Sequence, residues 1–312
     1  MPKFSVIIPL YNKDVHIAGT IISVLNQSFT DYEIIVVNDG STDDSLLEVQ
    51  KISDERLTIY DRENNGVSQA RNFAMQQAKG DYFAFLDADD IWKTNHLQNL
   101  NDLIIEFPNC GMYCANYCFD YGNNFIVNTK YPTLPDSSNW KGLVTNFFRE
   151  SLYDRIACTI ALAISKECFE TLGGFNTNFT IGEDTEYWSK IALNYRVAFT
   201  KKISAIYKLN ATNRTTDTHF NNHKYNTLDS FKKEEEINTS LNIFIDQYRH
   251  QYALTHKIHG NLKAYNYYKK NISLKNITLT KKILLILPSS ILSFLLKLKQ
   301  WLKTKRIDFY IP

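Results

Sequence analysis

The sequence contains neither of the two glycine-rich turns that commonly bind nucleotides. A GxxxxGK[ST] loop and a GxGxxG turn are both absent, and the first apolar run leads instead into Leu10-Tyr11-Asn12-Lys13. P-loop NTPases and NAD-type Rossmann enzymes need such a turn after their first strand. Both classes of protein are therefore excluded.

Cysteine pairs and net charge are also scarce. The five cysteines are odd in number, and Cys110, Cys114 and Cys118 lack both a CxxC pair and nearby histidines. We expect buried thiols in a reducing compartment rather than disulfides or zinc. Because the net charge is only +2, no nucleic acid partner is expected.

Long apolar segments are missing as well. Residues 1–10 are too short for a secretory signal, so a cytoplasmic location is expected. The apolar stretch at 283–296 is interrupted by Pro288, and it is too short to span a bilayer comfortably. No repeat of 20–50 residues is visible, which excludes a solenoid.

What the sequence does contain is an alternation of apolar strands and amphipathic helices. Hydrophobic residues make up 44% of the 312 residues, which is ample for a core. Strands separated by helices indicate an α/β fold with a mostly parallel, right-handed sheet. Residues 110–140 predict only short strands and loops, and 196–230 carry little pattern. The predicted strands are 4–10, 33–37, 57–60, 82–86 and 159–165, and the main predicted helices are 13–27, 67–78, 92–107, 166–172 and 186–195.

A cluster of carboxylates follows the strand predicted at 82–86. Asp87, Asp89 and Asp90 come directly after it, at the end of the strand where open α/β sheets bind ligands. Hard oxygen ligands at this density suit Mg²⁺ or Mn²⁺. The alternative is an acidic N-terminus for the next helix, and the motif alone does not decide between them.

Six blocks of sequence together resemble the inverting family 2 glycosyltransferases of the GT-A fold. Each block is weak alone, but all six occur in that family's order across residues 3–195. The resemblance implies an enzyme that moves a sugar from a nucleotide diphosphate, usually of uridine, to an acceptor hydroxyl with inversion. The blocks are FSVIIPLYN, EIIVVNDGSTDDS, NNGVSQARN, GDYFAFLDADD, GGFN and GEDTEYW.

The resemblance also implies roles for individual residues. Asp184 corresponds to the catalytic base, with Glu183 beside it, and Asp89 to the direct ligand of Mn²⁺ or Mg²⁺. Taken singly, these acids could equally cap helices or shape turns. The residues assigned to the nucleotide-sugar pocket are Pro9, Tyr11, Asp39, Arg71, Asp87 and Ala88, of which Asp39 accepts a hydrogen bond from the base and Asp87 lies near the ribose and metal.

Other positions qualify this resemblance. His219 or Arg214 could reach the diphosphate or metal, or could be solvated loop residues. Asn38 stands where many family members have a second Asp. The Q/RxxRW block of processive members is missing, so we expect one sugar to be added per encounter.

The last hundred residues differ in composition. From about residue 216, Lys, Asn, Tyr and Glu recur with helical spacing, which predicts a glycosyltransferase domain at 1–215 and a helical extension at 216–312. Basic residues around the apolar stretch indicate an interfacial segment attracted to anionic lipid. The alternative is a helix pair packed on the body. The basic residues are Lys281, Lys282, Lys297, Lys299, Lys303, Lys305 and Arg306.

The combined hypothesis is a peripheral enzyme at the inner face of a bacterial plasma membrane. It would build capsule, O-antigen or lipooligosaccharide on a saccharide or lipid-linked acceptor. Two alternatives remain open: a haloacid-dehalogenase-like phosphatase, whose nucleophile motif is also Asp-x-Asp, and a catalytically inactive, membrane-attached sugar-binding subunit. The phosphatase motif normally ends the first strand and is followed by Thr or Val, whereas Asp90-Ile91 follow here.

Overall fold

The structure is a computed structural model that describes residues 1–214 and 219–304. The chain divides into two compact units. The first contains residues 1–150 and 154–226, and the second contains residues 151–153 and the chain from Thr227 onwards. The division of the sequence at residue 216 into a catalytic domain and an extension stays a prediction.

Four strands and three helices begin the first unit. The elements are β1 (Phe4–Leu10), α1 (Asp14–Leu25), β2 (Tyr32–Asp39), α2 (Ser45–Gln50), β3 (Leu57–Arg62), α3 (Val67–Gln77) and β4 (Tyr82–Phe85). The strands are parallel, in the spatial order β3-β2-β1-β4. Strands β1, β2 and β4 are mostly buried, as is typical of a sheet covered on both faces, whereas the edge strand β3 is only partly buried. Since the strands point the same way, the residues that follow each of them meet at one edge.

Beyond β4 the sheet becomes mixed. The elements that follow are β5 (Ile91–Trp92), α4 (His96–Glu106), β6 (Cys110–Asp120), β7 (Ile126–Asn128), β8 (Lys141–Leu143), α5 (Phe147–Glu150), β9 (Leu162–Ser165), α6 (Lys166–Leu172), α7 (Glu183–Asn194) and β10 (Arg196–Lys208). The spatial order continues β4-β9-β6-β10-β5. Strand β9 is antiparallel to β4 and β6, whereas β6 and β10 are parallel. The short strand β7 pairs antiparallel with β6, and the short strand β8 pairs antiparallel with β10.

The two longest strands differ from the sequence prediction. Strand β6 lies where short strands and loops were expected, and its first nine residues are all buried, so no polar alternation marks it. Strand β10 lies in the region without pattern, where register shifts between Thr200 and Ala205 disturb its alternation. The helix predicted at 92–107 begins only at His96, because Trp92 pairs with β10.

The cysteines of the first unit agree with the prediction. All five are free thiols, and all except Cys158 are buried. Burial raises the pKa of the Cys168 thiol to about 11. These thiols therefore behave as small core residues rather than as reactive groups.

The second unit is helical. Its helices are α8 (Lys232–Ile237), α9 (Thr239–Ile258), α10 (Leu262–Lys270), α11 (Leu279–Ile286) and α12 (Ser289–Thr304). The unit is organised around the 20-residue helix α9. Asn238, Asn261 and Thr278 cap α9, α10 and α11 by accepting hydrogen bonds from backbone N–H groups. Pro288 separates α11 from α12. Within residues 1–214 and 219–304, no helix combines the length and apolarity needed to cross a membrane.

A buried ionic cluster holds the second unit together. The guanidinium of Arg249 donates two hydrogen bonds to Glu235, at 2.6 and 2.7 Å, and lies 3.3 Å from Asp246. The other oxygen of Asp246 accepts hydrogen bonds from Asn276 and from the backbone N of Ser273, at 2.8 and 3.1 Å. The cluster thereby fastens α8 and the segment before α11 to α9.

Candidate active site

The acidic loop after β4 forms the centre of the site. The side chains of Asp87 and Asp89 are 29% and 14% exposed, whereas Asp90 is buried. Asp90 accepts a hydrogen bond from the backbone N of Lys208 at 2.6 Å. The hydroxyl of Thr20 donates to the carbonyls of Ala88 and Asp90 at 3.0 and 2.9 Å. Asp90 therefore fixes the loop, and the loop presents the side chains of Asp87 and Asp89 to solvent.

Three carboxylates crowd into this loop. Burial raises the pKa of Asp90 well above its ordinary value, and the charges of Asp89 and Asp87 raise it further. Asp87 and Asp89 are each paired with a cation, Arg71 and Lys13. The loop therefore gathers positively charged groups at this edge of the sheet.

Arg71 on α3 links the acidic loop to the start of α7. Its Nη2 donates to Asp87 at 2.7 Å, and its Nη1 lies 3.5 Å from Glu183. Burial opposes the positive charge of Arg71, but Asp87 and Glu183 more than offset that effect, so the pKa of Arg71 is raised. The sequence places these three residues far apart, and the structure brings them into one ionic bridge.

The GGFN block packs against α3 beside this bridge. The side chain of Asn72 and the backbone of Phe175 exchange two hydrogen bonds of 2.8 Å. Only glycine fits at position 174, because a Cβ there would lie 2.2 Å from the Asn72 side-chain oxygen. The ring of Phe175 lies 5.3 Å from the guanidinium of Arg71, within cation–π range.

The two acids of the GEDTEYW block occupy the first turn of α7. Gly182 has a φ of 86°, the left-handed conformation that lets the chain turn into the helix. Burial raises the pKa of Glu183 to about 7, with a further contribution from Asp184. Asp184 is 27% exposed, and its Oδ2 lies 3.7 Å from Arg155. Asp184 is therefore the more accessible of the two acids.

Asp39, at the end of β2, binds backbone groups in the structure. Its two carboxylate oxygens accept hydrogen bonds from Asn65 N and Gly66 N, at 2.9 and 2.8 Å. It therefore shapes the loop that begins α3, and each oxygen keeps a second lone pair. The role of Asp39 toward a nucleotide base stays a prediction. The neighbouring Asn38 is also hydrogen-bonded within the protein, because its side-chain amide donates to Asp61 Oδ1 at 2.7 Å.

The remaining residues assigned to the nucleotide pocket surround the same edge. Pro9 is buried within β1, and Ala88 is 3% exposed. Tyr11 is 44% exposed just beyond β1. The next residue, Asn12, donates its backbone N–H to Ser41 at 3.0 Å, which ties the loops after β1 and β2 together. Their contacts with a nucleotide stay predictions.

Two residues whose roles the sequence left undecided lie further along the chain. Arg214 is 5.7 Å from the ring of Tyr207, and its charge lowers the pKa of Asp90 against the larger effect of burial. His219 is exposed at the start of the turn Phe220–Asn222. Among the residues that the structure describes, no three His, Cys, Asp or Glu side chains are grouped closely enough to hold a metal ion. The metal contact of His219 stays a prediction.

The sequence analysis did not assign a role to Lys13 or to Arg155. Lys13 donates to Asp89 at 2.6 Å and to the carbonyls of Thr212 and Asn213 at 2.9 and 3.0 Å. Its position offered a signal, because a cation just past β1 faces the acids just past the neighbouring parallel strand. Arg155 lies between residue 140 and the strand predicted at 159–165, where no element was predicted, and no sequence signal marks it.

The donor chemistry of the acidic loop suits a divalent cation. Asp87 and Asp89 offer carboxylate oxygens, which are the hard ligands that Mg²⁺ and Mn²⁺ prefer. Both side chains are partly exposed and carry lone pairs beyond those used by Arg71 and Lys13. The residues present therefore fit such an ion.

The fold is that of the GT-A class of nucleotide-sugar transferases, as the sequence resemblance implied. A solved structure of S. aureus TarS 1–349 in complex with UDP-GlcNAc superimposes with a TM-score of 0.63 at 20% identity, and it covers 88% of this chain and 82% of that one. At this identity the likeness establishes the fold alone. The mixed sheet and its flanking helices agree with that class.

Sequence comparison establishes the family. The model of glycosyl transferase family 2 matches residues 5–168, more than half of the chain. This protein belongs to glycosyl transferase family 2, a family of enzymes that transfer sugars. The prediction of the family is confirmed, and the phosphatase alternative is wrong.

Two curated relatives share part of the sequence. TuaG of Bacillus subtilis, whose name assigns it to teichuronic acid biosynthesis, is 43% identical over 108 residues, which is 34% of this chain and 43% of TuaG. WfgD of Escherichia coli, a UDP-Glc:alpha-D-GlcNAc-diphosphoundecaprenol beta-1,3-glucosyltransferase, is 36% identical over 125 residues, which is 40% of this chain and 46% of WfgD. The chain thus spans less than half the length of these two relatives.

Proposed function

We propose that this protein is a metal-dependent, inverting glycosyltransferase that moves one sugar from a UDP-sugar to a hydroxyl of a saccharide or lipid-linked acceptor. The bridge from Asp87 through Arg71 to Glu183 carries the proposal. It supports a shared pocket for the two groups that the chemistry needs, the metal ligands after β4 and the acid pair of α7. All of these residues lie in the first unit, and we propose residues 1–215 as the catalytic domain.

The named relatives support the choice of donor and pathway. WfgD is named for a UDP-glucose donor and a diphosphoundecaprenol-linked acceptor. TuaG is named for teichuronic acid biosynthesis, and the TarS structure is a complex with UDP-GlcNAc. We infer a uridine nucleotide and a bacterial surface polysaccharide for this chain too.

On the donor side, Asp89 with Asp87 would hold Mn²⁺ or Mg²⁺. When bound, such an ion neutralises the negative charge that grows on the departing diphosphate, without any proton transfer. Arg71 keeps Asp87 oriented through a 2.7 Å ion pair. The buried Asp90 keeps the loop rigid through its bond to β10. These residues therefore present preorganised charge to the leaving group.

On the acceptor side, Asp184 is the proposed base. The acceptor oxygen forms a bond to the anomeric carbon while the bond from that carbon to the diphosphate oxygen breaks on the opposite face, which inverts the centre. The hydroxyl proton passes to Asp184, whose exposed carboxylate is within reach of solvent. A positioned base of this kind contributes roughly 10²- to 10⁴-fold.

A donor screen tests the proposal. Purified protein is incubated with each of several UDP-sugars, with and without Mn²⁺, and UDP release and thermal stabilisation are measured. We expect one UDP-sugar to give both signals, with release dependent on Mn²⁺. The isosteric variant Asp89→Asn is the control. Release that persists at the wild-type rate in Asp89→Asn, or that ignores added chelator, contradicts the metal-dependent mechanism.

We also propose that the second unit binds the anionic inner surface of the bacterial plasma membrane. Helix α12 is amphipathic: at about 100° per residue, Ile291, Phe294, Leu298 and Trp301 fall on one face. These side chains are 38–63% exposed. By the same geometry Lys297 and Lys299 lie on the two sides of this apolar face. An apolar face bordered by lysines is typical of helices that lie in the membrane interface.

The alternative, in which the C-terminal helices pack on protein, accounts for only part of this surface. Within the second unit, Leu285 and Leu292 are buried, and the Leu285 carbonyl accepts hydrogen bonds from Lys257 and Tyr265, both at 2.7 Å. Helix α11 is therefore docked on its neighbours, while the apolar face of α12 remains exposed. The Lys303 side chain, Lys305 and Arg306 lie outside the described residues.

Vesicle sedimentation tests the membrane proposal. We expect the protein to sediment with phosphatidylglycerol vesicles and not with phosphatidylcholine vesicles. The double change Phe294→Gln with Trp301→Gln should lower the bound fraction at least tenfold. The matched control is Ile237→Gln, which removes an apolar side chain that is 90% exposed elsewhere in the unit. Equal binding by the double variant and this control contradicts the proposal.

A further inference from the structure

A lysine just past β1 contacts the acidic loop where the divalent ion is proposed. Lys13 Nζ is 2.6 Å from Asp89 Oδ2, 2.9 Å from the Thr212 carbonyl and 3.0 Å from the Asn213 carbonyl. An ammonium group has three N–H donors, and each finds an oxygen here. The Lys13 side chain is only 11% exposed, so this arrangement is not a loose surface pair.

We propose that the ammonium group of Lys13 forms an ion pair with Asp89 before the metal binds, and that a divalent ion must displace this ammonium group to bind Asp89. This inference rests on the proposed metal site. Displacement frees both the lysine and the Thr212–Asn213 carbonyls that it holds. Lys13 thus couples the metal to a backbone segment that the sequence places two hundred residues away.

The ligand set around the Lys13 nitrogen supports this exchange. One carboxylate and two carbonyl oxygens at 2.6–3.0 Å form a set of the kind that hard cations select in proteins. Two cations on one carboxylate repel each other, most strongly where water is largely excluded. Metal and lysine are therefore expected to compete for Asp89 rather than share it.

The Thr212–Asn213 segment has further attachments to the start of α1. His16 Nε2 lies 3.2 Å from Thr212 N, which can donate to it. The Asn213 amide donates to the Asn12 carbonyl at 3.0 Å. Because these bonds do not involve Asp89, the segment stays attached when Lys13 leaves. The direct sign of displacement is therefore the freed ammonium group.

Amine labelling of the wild-type protein tests the displacement without any substitution. The nucleotide-free protein is treated with an acetylating reagent, with and without saturating Mn²⁺, and labelled peptides are quantified by mass spectrometry. We expect Mn²⁺ to raise labelling of Lys13 at least threefold. Lys79, an exposed residue at the opposite end of β4, serves as the internal control and should not change. Unchanged or lower labelling of Lys13 overturns the proposal.

A titration with Mn²⁺ alone, followed by electron paramagnetic resonance, tests the competition. Removal of the resident cation in Lys13→Met should tighten Mn²⁺ binding at least tenfold, whereas Lys79→Met should match the wild type. Asp89→Asn should bind weakly in either background. Equal or weaker binding by Lys13→Met overturns the proposal. No turnover is measured, so failure of every UDP-sugar to react would refute the proposed function and leave this result standing.

Discussion

Each unit of the molecule contains a buried arginine held by two carboxylates, and the two clusters are built differently. Arg249 in the second unit is 3% exposed, and its partners Glu235 and Asp246 are 6% and 0% exposed. Arg71 in the first unit is 5% exposed, but its partner Asp87 is 29% exposed. The cluster around Arg71 is open to solvent, and the cluster around Arg249 is closed.

The clusters also differ in what surrounds their carboxylates. Around Arg249 the remaining acceptors are taken by neutral groups, such as the amide of Asn276 on Asp246. Beside the Arg71 cluster, Asp89 and Asp184 have cations of their own, Lys13 and Arg155, and the side chains of these two acids are 14% and 27% exposed. Burial of an ion pair therefore does not mark function by itself. Carboxylates that keep acceptors open to solvent distinguish a ligand site from a structural one.

The largest effect is expected at the open cluster. Asp184→Asn keeps the shape of the proposed base and removes its ability to take a proton, so kcat should fall roughly 10²- to 10⁴-fold. The measurement is release of UDP with the donor identified by screening. The matched control is Glu170→Gln, an exposed carboxylate on α6. A variant that keeps more than a tenth of wild-type kcat refutes the assignment of Asp184.

The closed cluster is expected to affect stability instead. Arg249→Met leaves Glu235 and Asp246 buried without their cation, which should cost about 3–5 kcal/mol of unfolding free energy. Denaturant titration followed by circular dichroism measures the loss. The matched variant is Arg71→Met, which should cost less because Asp87 is open to water. An equal or larger cost for Arg71→Met would erase the distinction between the clusters.

The sequence predicted the parts of the fold that depend on local pattern. Strands β1 to β4 were apparent because each is an apolar run bounded by helix and turn signals. The carboxylates after β4 could be assigned because parallel strands deliver their ends to one edge. The family resemblance added roles for Asp89 and Asp184 that spacing alone could not assign.

The rest of the site depends on contacts that sequence spacing does not encode. Strand β6 was not predicted because its buried run lacks alternation and because its partner, β10, comes much later in the chain, with Cys110 pairing with Arg196 and Asp120 with Lys208. An even larger sequence separation, 199 residues, hides the approach of Lys13 to the Thr212 carbonyl. Arg71 was assigned to the nucleotide, and only the structure shows that it also joins Asp87 to Glu183.

The smallest effect is a dependence of stability on pH at Glu183. Burial raises its pKa to about 7 in the folded protein, against an ordinary value of 4.5, so between these values the folded state keeps a proton that the unfolded state has released. The contribution of this group is therefore full below pH 4.5 and is lost as the pH rises through 7. At about 1.4 kcal/mol per unit, the loss is on the order of 3 kcal/mol.

Glu183→Gln cannot ionise, so it should escape that loss. Relative to the wild type, its unfolding free energy should improve by on the order of 3 kcal/mol between pH 4.5 and pH 8. Urea titrations at both pH values measure the difference, and Glu170→Gln corrects for the removal of one carboxylate. The attraction of Arg71 for ionised Glu183 already lowers the pKa of Glu183 and is contained in the value of about 7, so it does not change the sign. An unchanged difference across the two pH values would show that folded Glu183 holds no extra proton near neutral pH, and the pH dependence assigned to the open cluster would be wrong.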